Sequence, residues 1–315
     1  MDLLHRRNQI KGGHKASMNL QVSISQRRSF LIGCCVLFVG VSGLGGQEVQ
    51  RDDDASHLEL FRKENLVAWC IVPFDKNKRG PVERAEMLKD LGIKKVAYDW
   101  RAEHVPTFEE EIQECDKKGI EFFAFWSWHD SLESLVKKYK IQPQIWVTVP
   151  SPNQPSQTER VGHAVDSLLP LVEKTKSLGL KLGLYNHGGW GGQPTNLIQV
   201  CEALRERSET DHVGIVYNFH HAHQDIQDFY TSLPKMAPYL LCVNLNGMVN
   251  WEEVVEKNKK IIPIGSGSYE REMMGRVIKS GYRGPIGILD HRSDLDARES
   301  LQQNLSGLND LIERW

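Results

Sequence analysis

From residue 66 onward, short continuously apolar runs alternate with longer stretches in which apolar positions recur every three to four residues. The short runs fall at 66–72, 94–100, 121–128, 144–150, 181–187, 212–218, 239–246 and 285–290. Runs of this length, rich in β-branched and aromatic residues, predict buried strands. The longer stretches, at 82–91, 108–118, 132–139, 158–178, 196–207, 226–236, 270–280 and 298–312, predict amphipathic helices. Gly92, Gly119, Gly179 and Gly281 each follow a helical pattern, where a residue in the left-handed conformation ends a helix. Eight strand-then-helix units in about 250 residues predict an α/β fold of the (β/α)8 TIM barrel type, a single domain over 65–315. The main rival is a doubly wound open sheet, but no G-x-G-x-x-G follows the first strand. The long connection before the last strand, with its segments 251–258 and 261–267, predicts an excursion over the barrel mouth.

The first 46 residues break this pattern. Six Lys or Arg residues precede an uncharged, mostly apolar run over 30–44, which ends in small residues. A basic segment followed by an apolar run shorter than a membrane span predicts a cleaved export signal over 1–46, then a charged linker over 47–64. Arg27-Arg28-Ser29-Phe30-Leu31 resembles a twin-arginine signal, which implies export of a folded protein to the periplasm. An uncleaved anchor is one rival. Lipidation at Cys34 is the other, but there the apolar run continues after the cysteine instead of preceding it.

Charge and cysteine content narrow the partners. The chain of 315 residues carries a formal charge of −2; without the six basic residues and one acid of the signal it becomes −7. An acidic chain argues against nucleic acid and anionic membrane as partners. Cys70, Cys115, Cys201 and Cys242 are far apart and lack metal-ligand spacing, so buried free thiols are expected.

In an α/β barrel the site lies at the C-terminal ends of the strands. Read in order, those ends carry Trp69, Asp99 with Arg101, Trp126, Tyr185 with Asn186 and His187, Asn218 with His221, Asn244 with Asn246, and Asp290 with His291. Aromatic faces can stack on a sugar ring, while amides, imidazoles and carboxylates satisfy its hydroxyls, so a small carbohydrate is the expected ligand. Buried Asn is costly unless paired, which marks Asn218, Asn244 and Asn246 as more than packing.

Tyr185-Asn186-His187-Gly188-Gly189, Asn218-Phe219-His220-His221, Asn244-Leu245-Asn246-Gly247, Gly265-Ser266-Gly267 and Gly281-Tyr282-Arg283-Gly284 succeed one another in the second half of the chain. In this order they resemble the motifs of the sugar phosphate isomerase/epimerase superfamily, the xylose isomerase-like barrels. The resemblance implies four divalent-metal ligands, a Glu, an Asp, a His and a Glu, at the positions of Tyr185, Asn218, Asn244 and Asp290. Three of these have lost their charge or imidazole, so a metal site of the family type is not expected. His187, His221 and Asp290 are an alternative set for Mn, Zn or Fe.

The expected function is therefore proton transfer on a neutral sugar or keto-sugar, leading to isomerisation, epimerisation or elimination. His187, His221 and Asp290 are the expected catalytic groups. Trp69, Asp99, Trp126, Tyr185, Asn186, Asn218, Asn244, Asn246 and His291 are the expected substrate-binding residues. The alternative is a carbohydrate-binding barrel that retains the pocket without the chemistry. A metal-dependent nuclease on the same fold is disfavoured by acidity, export and the altered ligands. Gly265-Ser266-Gly267 could hold phosphate through its amides, but a tight turn leading into a helix with Glu270 in its first turn is the favoured reading.

Overall fold

The computed structural model describes residues 59–315, so the expected export signal and most of the linker lie outside the described residues. Strands and helices alternate as β1 (Leu66–Trp69), α1 (Pro81–Leu91), β2 (Lys95–Asp99), α2 (Phe108–Lys117), β3 (Glu121–Trp126), α3 (Ser131–Tyr139), β4 (Gln144–Thr148) and α4 (Gln157–Ser177). They continue as β5 (Leu182–Tyr185), α5 (Pro194–Arg207), β6 (Val213–Asn218), α6 (Ile226–Met236), β7 (Leu240–Leu245), α7 (Glu270–Lys279), β8 (Ile286–Leu289) and α8 (Ala297–Ile312). All neighbouring strands are parallel, and β8 pairs with β1, Leu66 opposite Ile286 and Trp69 opposite Leu289, so the sheet closes into an eight-stranded barrel. The expected TIM barrel is the fold.

Each strand is one to three residues shorter than its apolar run. The surplus residues leave the ladder at the strand ends, several of them at the barrel mouth. Gly92, Gly119, Gly179 and Gly281 take φ of 73°, 68°, 68° and 77°, the left-handed conformation their positions predict. Ser156 and Glu159 form a reciprocal capping box at the start of α4. The excursion after β7 contains a short helix, Trp251–Lys257. Among the described residues no helix is long and apolar enough to cross a membrane.

Strand alternation divides the core in two. Leu66, Ala68, Ile286 and Ile288 pack outward with the helices, whereas Val67, Trp69, Trp146, Tyr185, Val216 and Leu289 fill the barrel interior. Gly287 is required by this filling, because a Cβ there would lie 1.7 Å from the Asn244 amide oxygen. Between α1 and α2 the buried guanidinium of Arg84 pairs with the buried Glu111. All four cysteines of the barrel are buried free thiols.

Candidate active site

The strand ends open on a small cleft, with room of about 50 Å³ for water-sized groups. Strand β1 brings Trp69 and, just beyond it, Cys70; β2 brings Asp99 and Arg101; β3 brings Trp126. Strand β5 ends in Tyr185 and His187, β6 leads into His220 and His221, and β8 leads to His291, while Phe74 comes from the loop after β1. Of these, Cys70, Phe74 and His220 were not legible as site residues. Cys70 reads as one more buried thiol, Phe74 sits in a polar loop, and His220 is one of three nearby histidines.

The aromatic groups form one wall. Trp126 lies 4.8 Å from Tyr185 and 5.9 Å from Trp69, ring to ring. Trp69 Nε1 donates a hydrogen bond to the Tyr185 hydroxyl at 3.0 Å, and Asn218 Nδ2 donates to the same oxygen. Full burial pushes the Tyr185 pKa well above the ordinary value, outweighing the two donors on its oxygen, which favour the phenolate, so the phenol stays neutral.

Opposite stand the imidazoles. His187 and His221 lie 4.5 Å apart, His220 and His221 3.7 Å, and His220 and His291 5.3 Å. His220 donates from Nδ1 to Asn218 Oδ1 at 2.9 Å, which leaves its Nε2 as an acceptor. Burial above all lowers all four, joined by repulsion from Lys260 and, for His220, His221 and His291, from neighbouring imidazoles: His221 to about 2, His291 to about 4, His220 well below its usual value, and His187 below it. At neutral pH the cluster is uncharged and can accept protons or hydrogen bonds.

Asp99 is the carboxyl of the cleft. Its Oδ1 accepts from the Val72 amide at 3.4 Å, and its Oδ2 has no partner. Burial raises its pKa to about 8, against the opposing pull of Arg101, so at neutral pH it is mostly a carboxylic acid and a proton donor.

The structure does not bring Asp290 to this cleft. In β8 the inward residue nearest the mouth is Leu289, and alternation turns Asp290 outward toward α8, beside Ser300 and Arg292. Among the described residues neither of its carboxylate oxygens has a hydrogen bond of good geometry, and burial raises it to about 7 against the opposing pull of the nearby Ser300 hydroxyl and Arg292. The next residue enters the cleft instead. His291 adopts a left-handed φ of 54°, and Cys70 at the end of the adjacent strand adopts 60°. Backbone bonds Asp290 N to Trp69 O, 2.9 Å, and His291 N to Cys70 O, 3.4 Å, tie the two turns together. Such conformations cost about 1–3 kcal/mol each for residues with a side chain, and here both deliver a side chain to the same cleft.

Four expected ligand-binding amides do not line the cleft either. Asn186 exchanges two hydrogen bonds with the Asn218 backbone, 2.9 and 2.7 Å. Asn218 is committed to Tyr185 and His220, and Asn246 donates to the Gly247 and Lys260 carbonyls. Asn244 lies deeper in the barrel, its Oδ1 near Cys242 Sγ and its Nδ2 unpaired. Asn218, its backbone held by Asn186, is the support of Tyr185 and His220.

These residues do not fit the divalent ion implied by the family resemblance. The inward residues at the ends of β5 to β8 are Tyr185, Asn218, Asn244 and Leu289. None is anionic at neutral pH, and the first three are held among themselves and their neighbours, whereas hard cations need carboxylates. The alternative set is not assembled, because Asp290 lies outside the cleft; among the described residues no three His, Cys, Asp or Glu side chains are placed to hold a metal.

The Gly265-Ser266-Gly267 loop is closed upon itself. The Ser266 amide donates to Pro263 O, Gly267 to Glu270 Oε1, and Ser268 and Tyr269 both to Met248 O. Glu270 is buried in the first turn of α7 and also accepts from the Met248 amide at 3.0 Å.

No protein-family model and no curated protein matches the chain by sequence. Solved structures do match by fold. The IolI protein with a bound zinc atom superposes with a TM-score of 0.61 at 13% identity, covering 80% of this chain and 99% of its own. A D-tagatose 3-epimerase-like protein gives 0.56 at 16% identity over 79% and 99%. The 3-keto-D-glucoside 4-epimerase from E. coli gives 0.54 at 14% over 79% and 98%. The fold, an eight-stranded TIM barrel, is shared with these structures and with one described as a xylose isomerase-like TIM barrel protein, from Mycobacterium smegmatis, at a TM-score of 0.52 and 13% identity over 79% of this chain and 98% of that one.

Proposed function

We propose that this protein moves a proton at a carbon next to the carbonyl of a small sugar derivative, resulting in isomerisation, epimerisation or elimination. The observation that carries this reading is the placement of a neutral imidazole pair and a protonated carboxyl, His187 with His221 and Asp99, around one aromatic-walled cleft. Environments that push two titrating groups in opposite directions separate a base from an acid. Fold neighbours named as sugar epimerases support the same substrate class.

In this mechanism His187, the more exposed ring, takes the proton from the carbon, and the electron pair of the broken C–H bond moves into an enol. Asp99 donates its proton to the carbonyl oxygen as negative charge gathers there, in the place of a metal ion. For the isomer, the Asp99 carboxylate takes the proton of the neighbouring enediol hydroxyl, whose C=O forms as His187 returns its proton to the former carbonyl carbon; for the epimer, Asp99 takes back the proton it gave, the carbonyl re-forms, and a proton from water reaches the opposite face of the carbon that lost one. His221 contacts the substrate as a neutral hydrogen-bonding group. Trp69 and Trp126 cover one face of the sugar and exclude water. Asp99 is the carboxyl of this mechanism in place of the expected Asp290, and it acts as an acid. The basic and apolar N-terminal pattern supports action outside the cytoplasm on an extracellular or periplasmic sugar.

The second reading is a barrel that binds a sugar without turning it over. It is favoured by the Trp69–Tyr185–Asn218 network, which fills the space at three strand ends with groups bonded to one another. Incubation of the full chain in D2O with a panel of aldoses, ketoses and keto-sugars separates the two. Deuterium should enter a carbon-bound position of one substrate, and the His187→Ala variant should abolish this. Saturable binding without exchange at any carbon would establish the second reading.

A further inference from the structure

The rim of the cleft carries a charge opposite to that of the chain. Arg101, at the end of β2, and Lys260, in the connection between β7 and α7, are both exposed, and among the described residues neither makes an ion pair with a carboxylate. Arg101 Nη1 donates only to the carbonyls of Trp100, 2.8 Å, and Asp99, 3.4 Å, and its guanidinium lies 5.5 Å from the Phe74 ring centre. The Lys260 backbone is fixed, since its carbonyl accepts from His223 Nε2 and Asn246 Nδ2, both at 3.0 Å, while among the described residues its ammonium makes no hydrogen bond. That ammonium is close enough to disfavour protonation of His187, His220, His221 and His291. Asp99, the one carboxyl lining the cleft, is buried and protonated at neutral pH. Arg101 thus lines a cleft in which, among the described residues, no ionised carboxylate compensates it, and Lys260, its backbone held by His223 and Asn246 in the connection beyond β7, adds a second positive charge in the neighbourhood of the imidazoles.

We infer that the substrate is a sugar acid, whose carboxylate is held at the rim by Arg101 and Lys260 while its carbonyl end reaches Asp99 and His187. A planar guanidinium braced against an aromatic ring is suited to a carboxylate, which it can grip with two parallel bonds. A phosphate is the other anion a sugar can carry, but the loop amides that could cradle it are bonded within their own turn. This inference rests on the proposed proton-transfer reading and specifies its substrate.

The test is binding to the full chain, followed through tryptophan fluorescence, of hexuronic and hexonic acids, the matching neutral hexoses and the matching 6-phosphates. An acid should bind at least about tenfold more tightly than its neutral counterpart, and added salt should weaken it. Arg101→Gln and Lys260→Gln should each lower the affinity for the acid about tenfold and leave the affinity for the neutral sugar unchanged. Equal affinity for acid and neutral sugar, tighter binding of a 6-phosphate, or no binding by any of the three classes overturns the inference. Deuterium exchange into a neutral sugar that binds as well as its acid would sink the charge argument and leave the proposed function standing. Acid binding that depends on both cations without exchange into any sugar would do the reverse.

Discussion

The imidazoles of His187 and His221 lie 4.5 Å apart, inclined at 49°, one at the end of β5 and the other just after β6. No sequence neighbour joins them; the barrel does. Two rings this close can share a substrate, but their mutual repulsion disfavours both becoming imidazolium cations. Replacement of His187 by Ala should lower kcat/KM at least about 100-fold, the usual loss for a general base. His221→Ala should raise KM more than it lowers kcat, as expected for a group that binds rather than abstracts. Steady-state kinetics on the substrate identified by deuterium exchange check both, and full activity in His221→Ala would remove that residue from the site.

Asp99 sets the alkaline limb of activity. With its pKa at about 8 it loses the donor proton as pH rises through that value, and the rate should fall with it. The acid limb should follow His187, whose pKa burial lowers. Asp99→Asn keeps a hydrogen-bond donor but cannot release a proton, so the alkaline limb should disappear together with most of the rate. A pH–rate profile that is flat up to about pH 9 contradicts this role.

The same group makes folding stability depend on pH. The folded pKa of Asp99 lies above its unfolded value of about 3.8, so the folded state holds the extra proton between the two. Its stabilising contribution is complete below the unfolded pKa and is lost as pH rises through about 8. Wild type should therefore lose melting temperature between about pH 5 and pH 9 relative to Asp99→Asn. Parallel thermal unfolding of the two proteins measures the difference directly.

Asp290 has the same sign of linkage with a different consequence. Burial raises it to about 7, so it too contributes most below its unfolded pKa and loses that contribution as pH rises toward neutrality. Asp290→Asn removes the buried charge and should raise the melting temperature near pH 8, with kcat/KM changed less than about threefold. A loss near 100-fold would return Asp290 to the catalytic group in which its motif position placed it.

The buried pair Arg84 and Glu111 binds α1 to α2. Removing one member leaves the other charge without a partner in the core, a loss of about 3–5 kcal/mol. Glu111→Ala should show this in urea unfolding. Paired replacement of Arg84 and Glu111 by Met and Leu should recover much of it, because two apolar side chains of similar volume need no compensation.

Strand count, helix ends and the glycines that close α1, α2, α4 and α7 were legible because each depends on local pattern: apolar run length, 3.6-residue periodicity, and a conformation only glycine adopts easily. The aromatic wall and His187, His221 and His291 were legible because barrel topology puts strand ends together. Asp290 was not, because a motif position does not reveal on which side of the pleat a side chain leaves the strand. The shift of one residue from Leu289 to Asp290 turns the carboxylate away, and the left-handed turn at His291 turns an imidazole in. Asn186, Asn218, Asn244 and Asn246 were correctly singled out as costly to bury. Sequence could not show that the partners of Asn186, Asn218 and Asn246 are the protein itself and not a ligand, or that the Asn244 Nδ2 has none among the described residues.

The seam between β8 and β1 runs two residues past the last strand, through the bonds from Asp290 to Trp69 and from His291 to Cys70. During synthesis, therefore, the cleft stays unfinished until almost the whole barrel has left the ribosome. Trp69 and Asp99 emerge early, wait with their apolar and carboxyl surfaces exposed, and acquire their last wall only when His291 arrives. Truncations or stalls before β8 leave an open sheet edge at β1, the form in which a chain of this topology is most prone to pair with another copy.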